Sequence, residues 1–267
     1  MVRNDLRLAA EAARDLAREG ALMARRLSGK VTPRDKGGNQ GPVTEADLAV
    51  ERHLLARLRS LFPADAILSE ESPEGVDLSA RRLWCVDPVD GTREFIDGVP
   101  GYSVMIGLLL DGEPVAGAIA VPEEETLFWG WRGGGAHGER AGSGSEVRLA
   151  SLTDPSHAVM IHSARHESRK VKAAVQKIRP LRTVAAGGVG YKASRILLGQ
   201  AHLYFHPGSG VCWWDSVAPA AILLAAGGTA TTTAGERIRY VDGPGHDAGL
   251  LFAVPALLQP ALARLRA

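Results

Sequence analysis

Residues 83–95, LWCVDPVDGTREF, run out of an apolar segment into two aspartates three apart, with a proline between them and Gly-Thr behind. No other stretch restricts the fold as much. Two carboxylates at the end of a buried strand repel each other unless a positive charge compensates them. None lies between them in the chain, so a metal ion is the reading tested against the remaining residues. The spacing adds a second restriction. Side chains alternate along a strand with period two, so Asp87 and Asp90 cannot share a regular strand face. The backbone must bend, which Pro88 favours, and the bend turns the Val89 carbonyl towards the metal.

Acids recur where strands are expected to end. Glu70 and Glu71 follow AILS (66–69), and Asp215 follows VCWW and opens a helix. Three apolar segments that each deliver carboxylates at their ends can converge at one sheet edge. Hard divalent cations take such oxygen ligands, and Mg²⁺ keeps waters and substrate phosphate as well. A pair of metals ~3.5–4 Å apart supports in-line displacement at phosphorus. Each acid also has a plain structural role open to it. Glu70 and Glu71 suit a solvated loop, Asp215 suits a helix N-cap, and Asp87 before Pro88 suits a turn. Their recurrence around DPVDGT is what favours a site.

Other phosphate chemistries fit less well. Phosphatases of the haloacid dehalogenase type use Asp-x-Asp, with both carboxylates on one strand face. No G-x-x-x-x-G-K-[ST] loop is present, and GGGAHG and GGVG are weak matches to phosphate-binding loops.

The apolar pattern organises the rest. Leu6, Ala9, Ala13, Leu16, Gly20, Met23 and Leu27 form one stripe of a long helix. Gly20 on that stripe costs about 1 kcal/mol against Ala, so another element should pack closely there. Residues 28–42 are rich in turn formers and predict an exposed loop. A helix follows Thr44, with Val50, Leu54, Leu58 and Leu61 on one face. AILS and LWCV predict short buried strands, and residues 102–135 a three-stranded meander with turns at Asp111-Gly112 and near Pro122. The glycine-rich residues 132–146 suggest a boundary, with an α+β domain over 1–145 and an α/β domain over 146–267. In the second, strands at HAVMIHS, AHLYF and GLLFAV alternate with helices near 168–179, 189–199 and 215–226 and a final helix.

Composition excludes several partners. The chain has 267 residues, 45% hydrophobic and 23% charged, with a net charge of +1. That balance gives no global field for a nucleic acid polymer or a membrane surface. Arg14, Arg18, Arg25 and Arg26 sit among acids and read as a solvated helix face. Cys85 and Cys212 form no C-x-x-C pair and read as reduced core residues. No apolar run reaches the ~20 residues of a membrane span, and the charged N-terminus does not read as a signal peptide. A cytoplasmic protein is expected.

SEE (69–71), WCVDPVDGTREFI (84–96) and WWDSVAPAAILLAAGG (213–228) resemble, in order and separation, the inositol monophosphatase superfamily. GPVTEADLAVE (41–51) matches that family's upstream segment, so the resemblance covers most of the chain. It implies a layered αβαβα sandwich of the inositol monophosphatase and fructose-1,6-bisphosphatase type. It also implies a lithium-sensitive phosphomonoesterase with two or three Mg²⁺ ions per site, acting on a small phosphorylated substrate, and a possible homodimer. By resemblance, Glu70, Asp87, the Val89 carbonyl, Asp90 and Asp215 are metal ligands, with Glu70 also catalytic. Thr92 holds the attacking water and Asp47 is the partner of its hydroxyl. Asp90, Gly91, Thr92 and Asp215 also contact the substrate. Thr44-x-x-Asp47 is nearly a capping box, so Asp47 has a structural role open to it too.

Within the superfamily, Glu94 in DGTREF looks like the 3'(2'),5'-bisphosphate nucleotidase branch, where inositol phosphatases tend to carry Asn. HSARHESRK (162–170) resembles that branch's Ser/Arg/His segment. Arg165, His166 and Lys192 are candidate contacts for a second phosphate, and Lys36 for a carboxylate or phosphate. The expected substrate is adenosine 3',5'-bisphosphate, with inositol 1-phosphate or a related sugar phosphate as the alternative. A binding-only phospholigand sensor is the non-enzymatic alternative; it should lack a ligand or Thr92, and the chain lacks none. The loop HPGSGVCWWD matches neither branch, and Val217 stands where Ala is common.

Overall fold

A computed structural model describes residues 2–35, 42–164 and 168–267. The apolar stripe forms α1 (Val2–Leu27). At Gly20 neighbours do come close: a Cβ there would stand 3.1 Å from Val104 Cγ1 and 3.2 Å from Val50 Cγ1. The charged face of α1 is solvated and paired, through Arg18–Glu139, Arg25–Glu125 and Arg14–Asp15. Part of the loop expected over 28–42 is paired instead, with β1 (Arg34–Asp35) antiparallel to β2 (Pro42–Val43). Pro42 can sit there because it opens a two-residue edge strand. Next comes α2 (Glu45–Leu61), which buries Val50, Leu54 and Leu58.

One sheet then holds seven strands in sequence order: β3 (Ala66–Ser69), β4 (Arg82–Asp90), β5 (Ser103–Leu110), β6 (Glu113–Val121), β7 (Thr126–Trp131), β8 (Gly135–Arg140) and β9 (Ser143–Glu146). Only β3 and β4 pair in parallel. A short helix α3 (Thr92–Asp97) interrupts the run between β4 and β5. Within the glycine-rich segment β8 and β9 extend the same sheet, which ends at Glu146. β9 is exposed at every residue. Ladder hydrogen bonds need no side chain, so an outer strand can form without the apolar alternation that marks inner ones.

The second sheet has the order β11-β10-β12-β14-β13. Its elements are β10 (Val159–Ser163), α4 (Arg169–Ile178), β11 (Arg182–Ala186), α5 (Val189–Leu197), β12 (Leu203–His206), α6 (Trp213–Ala225), β13 (Thr229–Thr231), β14 (Leu250–Ala253) and α7 (Leu258–Arg266). β10 runs parallel to β11 and β12, and the other pairings are antiparallel. α1 and α2 share a core with one face of the first sheet. The other face joins α5, α6, the second sheet, α4 and α7 in one continuous core. The result is an αβαβα layering. The middle layer is tight, because a Cβ on Gly107 would come 2.6 Å from Ala218 N. Glycine there lets α6 lie on the sheet, and α6 carries Asp215.

Candidate active site

β4 is buried from Leu83 to Asp90 and runs through both aspartates rather than stopping at Val86. Asp87 stands opposite Met105 and Asp90 opposite Ser103. Three steps on β4 therefore face two on β5, which is a β-bulge. Met105 and Ser103, two apart, share a face of β5, so the extra residue brings Asp87 and Asp90 to the same side. Asp87 Oδ1 accepts from Val89 N–H at 3.1 Å, and the Thr92 hydroxyl donates to the Val89 carbonyl at 3.2 Å. Gly91, at φ +89°, turns the chain from strand to α3.

Asp90 is held from β5 and from the other half of the chain. Its carboxylate accepts from Ser103 Oγ at 2.9 Å, Val189 N at 2.9 Å and Gly190 N at 2.7 Å. The last two are the free N–H groups of the first turn of α5, where backbone dipoles favour an anion. The approach depends on glycine, since a Cβ at Gly188 would lie 2.2 Å from Asp90 Oδ2. Asp215 is the third residue of α6, and Cys212, not Asp215, occupies the cap. Asp215 Oδ2 accepts from Cys212 N–H at 2.6 Å.

Carboxylate oxygens of Asp87, Asp90 and Asp215 lie within 4.8 Å of one another. Glu70, at the turn after β3, hydrogen bonds to Asp87. Burial pushes the Asp87 carboxyl well above the ordinary carboxylate range, and Glu70, Asp90 and Asp215 push it further. Burial and the charges of Asp90 and Glu70 do the same to Asp215. Asp90 is also raised by burial, but Lys192 and the α5 N–H groups oppose the shift. Buried carboxylates this close need protons or a cation. An all-oxygen, anionic, desolvated donor set fits a hard divalent ion.

The charge of Lys192 acts on both Asp90 and Asp215. The residue is 2% exposed, donates to the Gly187 carbonyl, and sits 5.5 Å from the centre of the Tyr204 ring. Burial draws its pKa down to about 8 against the opposing pull of Asp90, Asp215 and Glu94. Asp47 closes a complete capping box. Its Oδ2 accepts from Thr44 N–H at 2.8 Å and from the Thr44 hydroxyl. Thr92 and Asp47 are thus each engaged locally, one with Val89 and the other with Thr44.

Sequence reading brought Asp87, Asp90 and Asp215 to one point, with Glu70 beside them. Lys36, Arg165 and His166 lie outside the described residues. Ser103, Val189, Gly190 and Cys212 were not anticipated. Only Ser103 carried a signal, as a polar residue opening the apolar run SVMIGLLL. The others act through backbone N–H, which every residue but proline has.

The model of the inositol monophosphatase family matches residues 5–265. The 3'(2'),5'-bisphosphate nucleotidase 1 of Dictyostelium discoideum is 31% identical over 245 residues, covering 76% of this chain and 77% of the relative. The inositol-1-monophosphatase of Mycobacterium bovis is 30% identical over 275 residues, covering 97% of this chain and 91% of the relative. The solved structure of an IMPase/NADP phosphatase complexed with Mg²⁺ and phosphate superposes with a TM-score of 0.82 at 19% identity, covering 98% of this chain and 97% of that one.

Proposed function

The chain belongs to the inositol monophosphatase family and is a phosphoric monoester hydrolase, and from that premise we propose that it removes one phosphate from a small bisphosphorylated nucleotide, adenosine 3',5'-bisphosphate first. The observation that carries the chemistry is the convergence of Asp87, Asp90 and Asp215 within 4.8 Å. Glu70, these three aspartates and the Val89 carbonyl would hold the Mg²⁺ that the family uses. When bound, Mg²⁺ supplies Lewis-acid stabilisation of charge on the phosphoryl oxygens.

The residues of the chain then have distinct tasks. Gly91 and Thr92 offer backbone N–H groups to the phosphate. Thr92 exchanges its donated bond to Val89 for one to Asp47, and its oxygen accepts from the attacking water. Glu70, next to Asp87, assists that water. Lys192 and Glu94 support the nucleotide branch. Lys192 is a buried cation whose charge acts on Asp90 and Asp215, and it would contact a second phosphate. Glu94 stands where inositol phosphatases tend to carry Asn. The nucleotidase name of the Dictyostelium relative points the same way. Residues 1–145 would form a unit with most ligands, completed by Asp215 and Lys192 from 146–267.

A second reading, inositol 1-phosphate as substrate, is favoured by the Mycobacterium bovis relative, which aligns with 97% of this chain. Phosphate release from adenosine 3',5'-bisphosphate, inositol 1-phosphate and fructose 1,6-bisphosphate, with Mg²⁺ and with excess EDTA, decides between them. The nucleotide should give the highest kcat/KM, all turnover should stop in EDTA, and lithium should inhibit. Preference for inositol 1-phosphate overturns the substrate assignment. Full turnover in EDTA overturns the metal reading.

A further inference from the structure

The N-terminus of α6 delivers Asp215, and something must hold it there against repulsion from Asp87 and Asp90. Part of the answer lies in residues 240–247, which form no regular element and sit against the loop before α6. Trp213 N–H donates to the Pro244 carbonyl at 2.8 Å, and His246 N–H to Val211 at 2.9 Å. Cys212 and Gly245 form an isolated antiparallel bridge. Tyr240 packs edge-on against both Trp213 and His246, at ring separations of 5.6 and 5.4 Å.

One side-chain bond lies at the centre of this clamp. His246 Nε2 is 2.7 Å from Ser216 Oγ, and Ser216 Oγ is 3.3 Å from the Trp213 carbonyl. Ser216 is fully buried and His246 is 7% exposed. Ser216 has one hydroxyl proton. With Nε2–H donating to Oγ, that proton is left for the Trp213 carbonyl or for the Tyr240 hydroxyl, to which Ser216 also bonds. Ser216 follows Asp215 directly, and Cys212, whose N–H holds Asp215 Oδ2, is bracketed by the same clamp.

We propose that His246 is a positioning residue for the metal site: through Ser216 it fixes the first turn of α6, and so the direction of the Asp215 carboxylate. The inference rests on Asp215 being a metal ligand. Partners that orient a ligand typically change metal affinity or activity ~10–100-fold when removed. The test is Mg²⁺ binding by calorimetry, together with the Mg²⁺ concentration giving half-maximal phosphate release, in the full-length chain. His246→Leu should weaken both at least ~10-fold, with KM for the phosphate substrate changed far less. His246→Gln, which keeps a donor, should restore both to within a few-fold of wild type. Ser216→Ala, the smallest perturbation, should weaken both as well, and the double variant Ser216→Ala/His246→Leu should be scarcely worse than His246→Leu alone. Lower melting temperatures with unchanged Mg²⁺ constants in Ser216→Ala and His246→Leu, while wild type needs Mg²⁺, overturn this inference alone. A wild-type protein indifferent to Mg²⁺ in both measurements overturns the metal reading beneath it.

Discussion

The Asp90 carboxylate accepts a 2.7 Å hydrogen bond from the N–H of Gly190, a residue 100 positions further along the chain. The site is therefore assembled between the first sheet and the helix layer packed on it, and Asp90 is as much a tie between layers as a candidate ligand. Gly188, which precedes α5, lies in the path of that tie. Gly188→Ala would place a Cβ 2.2 Å from Asp90 Oδ2. Either α5 withdraws or Asp90 turns. Turnover should fall at least 100-fold, and Mg²⁺ activation should weaken with it. Overpacking of this kind costs ~1–3 kcal/mol of stability, read as a modest drop in melting temperature. Wild-type kinetics in this variant would mean that α5 yields without disturbing Asp90.

Repulsion within the cluster predicts an opposite pair of effects. Asp87→Asn or Asp90→Asn removes a ligand, so turnover should nearly vanish. In Asp87→Asn a group destabilised by burial, Glu70, Asp90 and Asp215 is neutralised. Its melting temperature in EDTA at neutral pH should accordingly rise, and Mg²⁺ should add less stability to it than to wild type. Thermal unfolding of both proteins with and without Mg²⁺ checks this. A lower melting temperature in EDTA would show that the Val89 N–H bond to Asp87 outweighs the repulsion.

Thr92 and Asp47 separate chemistry from capping. Proton transfer assistance is worth ~10²–10⁴-fold in rate, whereas loss of a cap costs ~1 kcal/mol of stability. Asp47→Asn keeps an oxygen for the Thr44 N–H, so turnover should drop by orders of magnitude while the melting temperature moves little. Thr92→Ala should match it, and the double variant should be scarcely slower than either single. Additive losses would break the proposed relay, and near-normal turnover in Asp47→Asn would leave that residue only its cap.

His246 makes stability depend on pH. Burial lowers its pKa from the ordinary 6.5 to about 4. Between these values the unfolded chain binds a proton that the folded chain does not, so stability falls as pH drops from about 6.5 towards 4 and the loss levels off below. The full shift corresponds to about 3 kcal/mol. His246→Gln should flatten that part of the stability curve, as urea unfolding at pH 7, 5.5 and 4.5 would measure. An unchanged slope would assign the acid sensitivity to other groups.

Local pattern determined much of this architecture. α1, α2 and β5 to β7 are legible because their apolar periodicity is written in neighbouring residues, whatever else the chain does. The acids were legible too. A carboxylate at the end of an apolar run is costly without a partner, and Glu70, Asp87, Asp90 and Asp215 repeat that arrangement. β8, β9, β11 and β13 were not legible. They are glycine-rich, exposed or only three residues long, and they become strands because a neighbour offers hydrogen bonds. The bulge that aligns Asp87 with Asp90 exists only in the pairing of β4 with β5. The donors that orient the site, Val189, Gly190 and Cys212, act through main-chain N–H groups that carry no residue signature. Sequence alone determined which charges would be brought out of water. Tertiary structure alone decided which backbone dipoles would meet them, because a dipole's effect depends on where it points and not on which residue bears it.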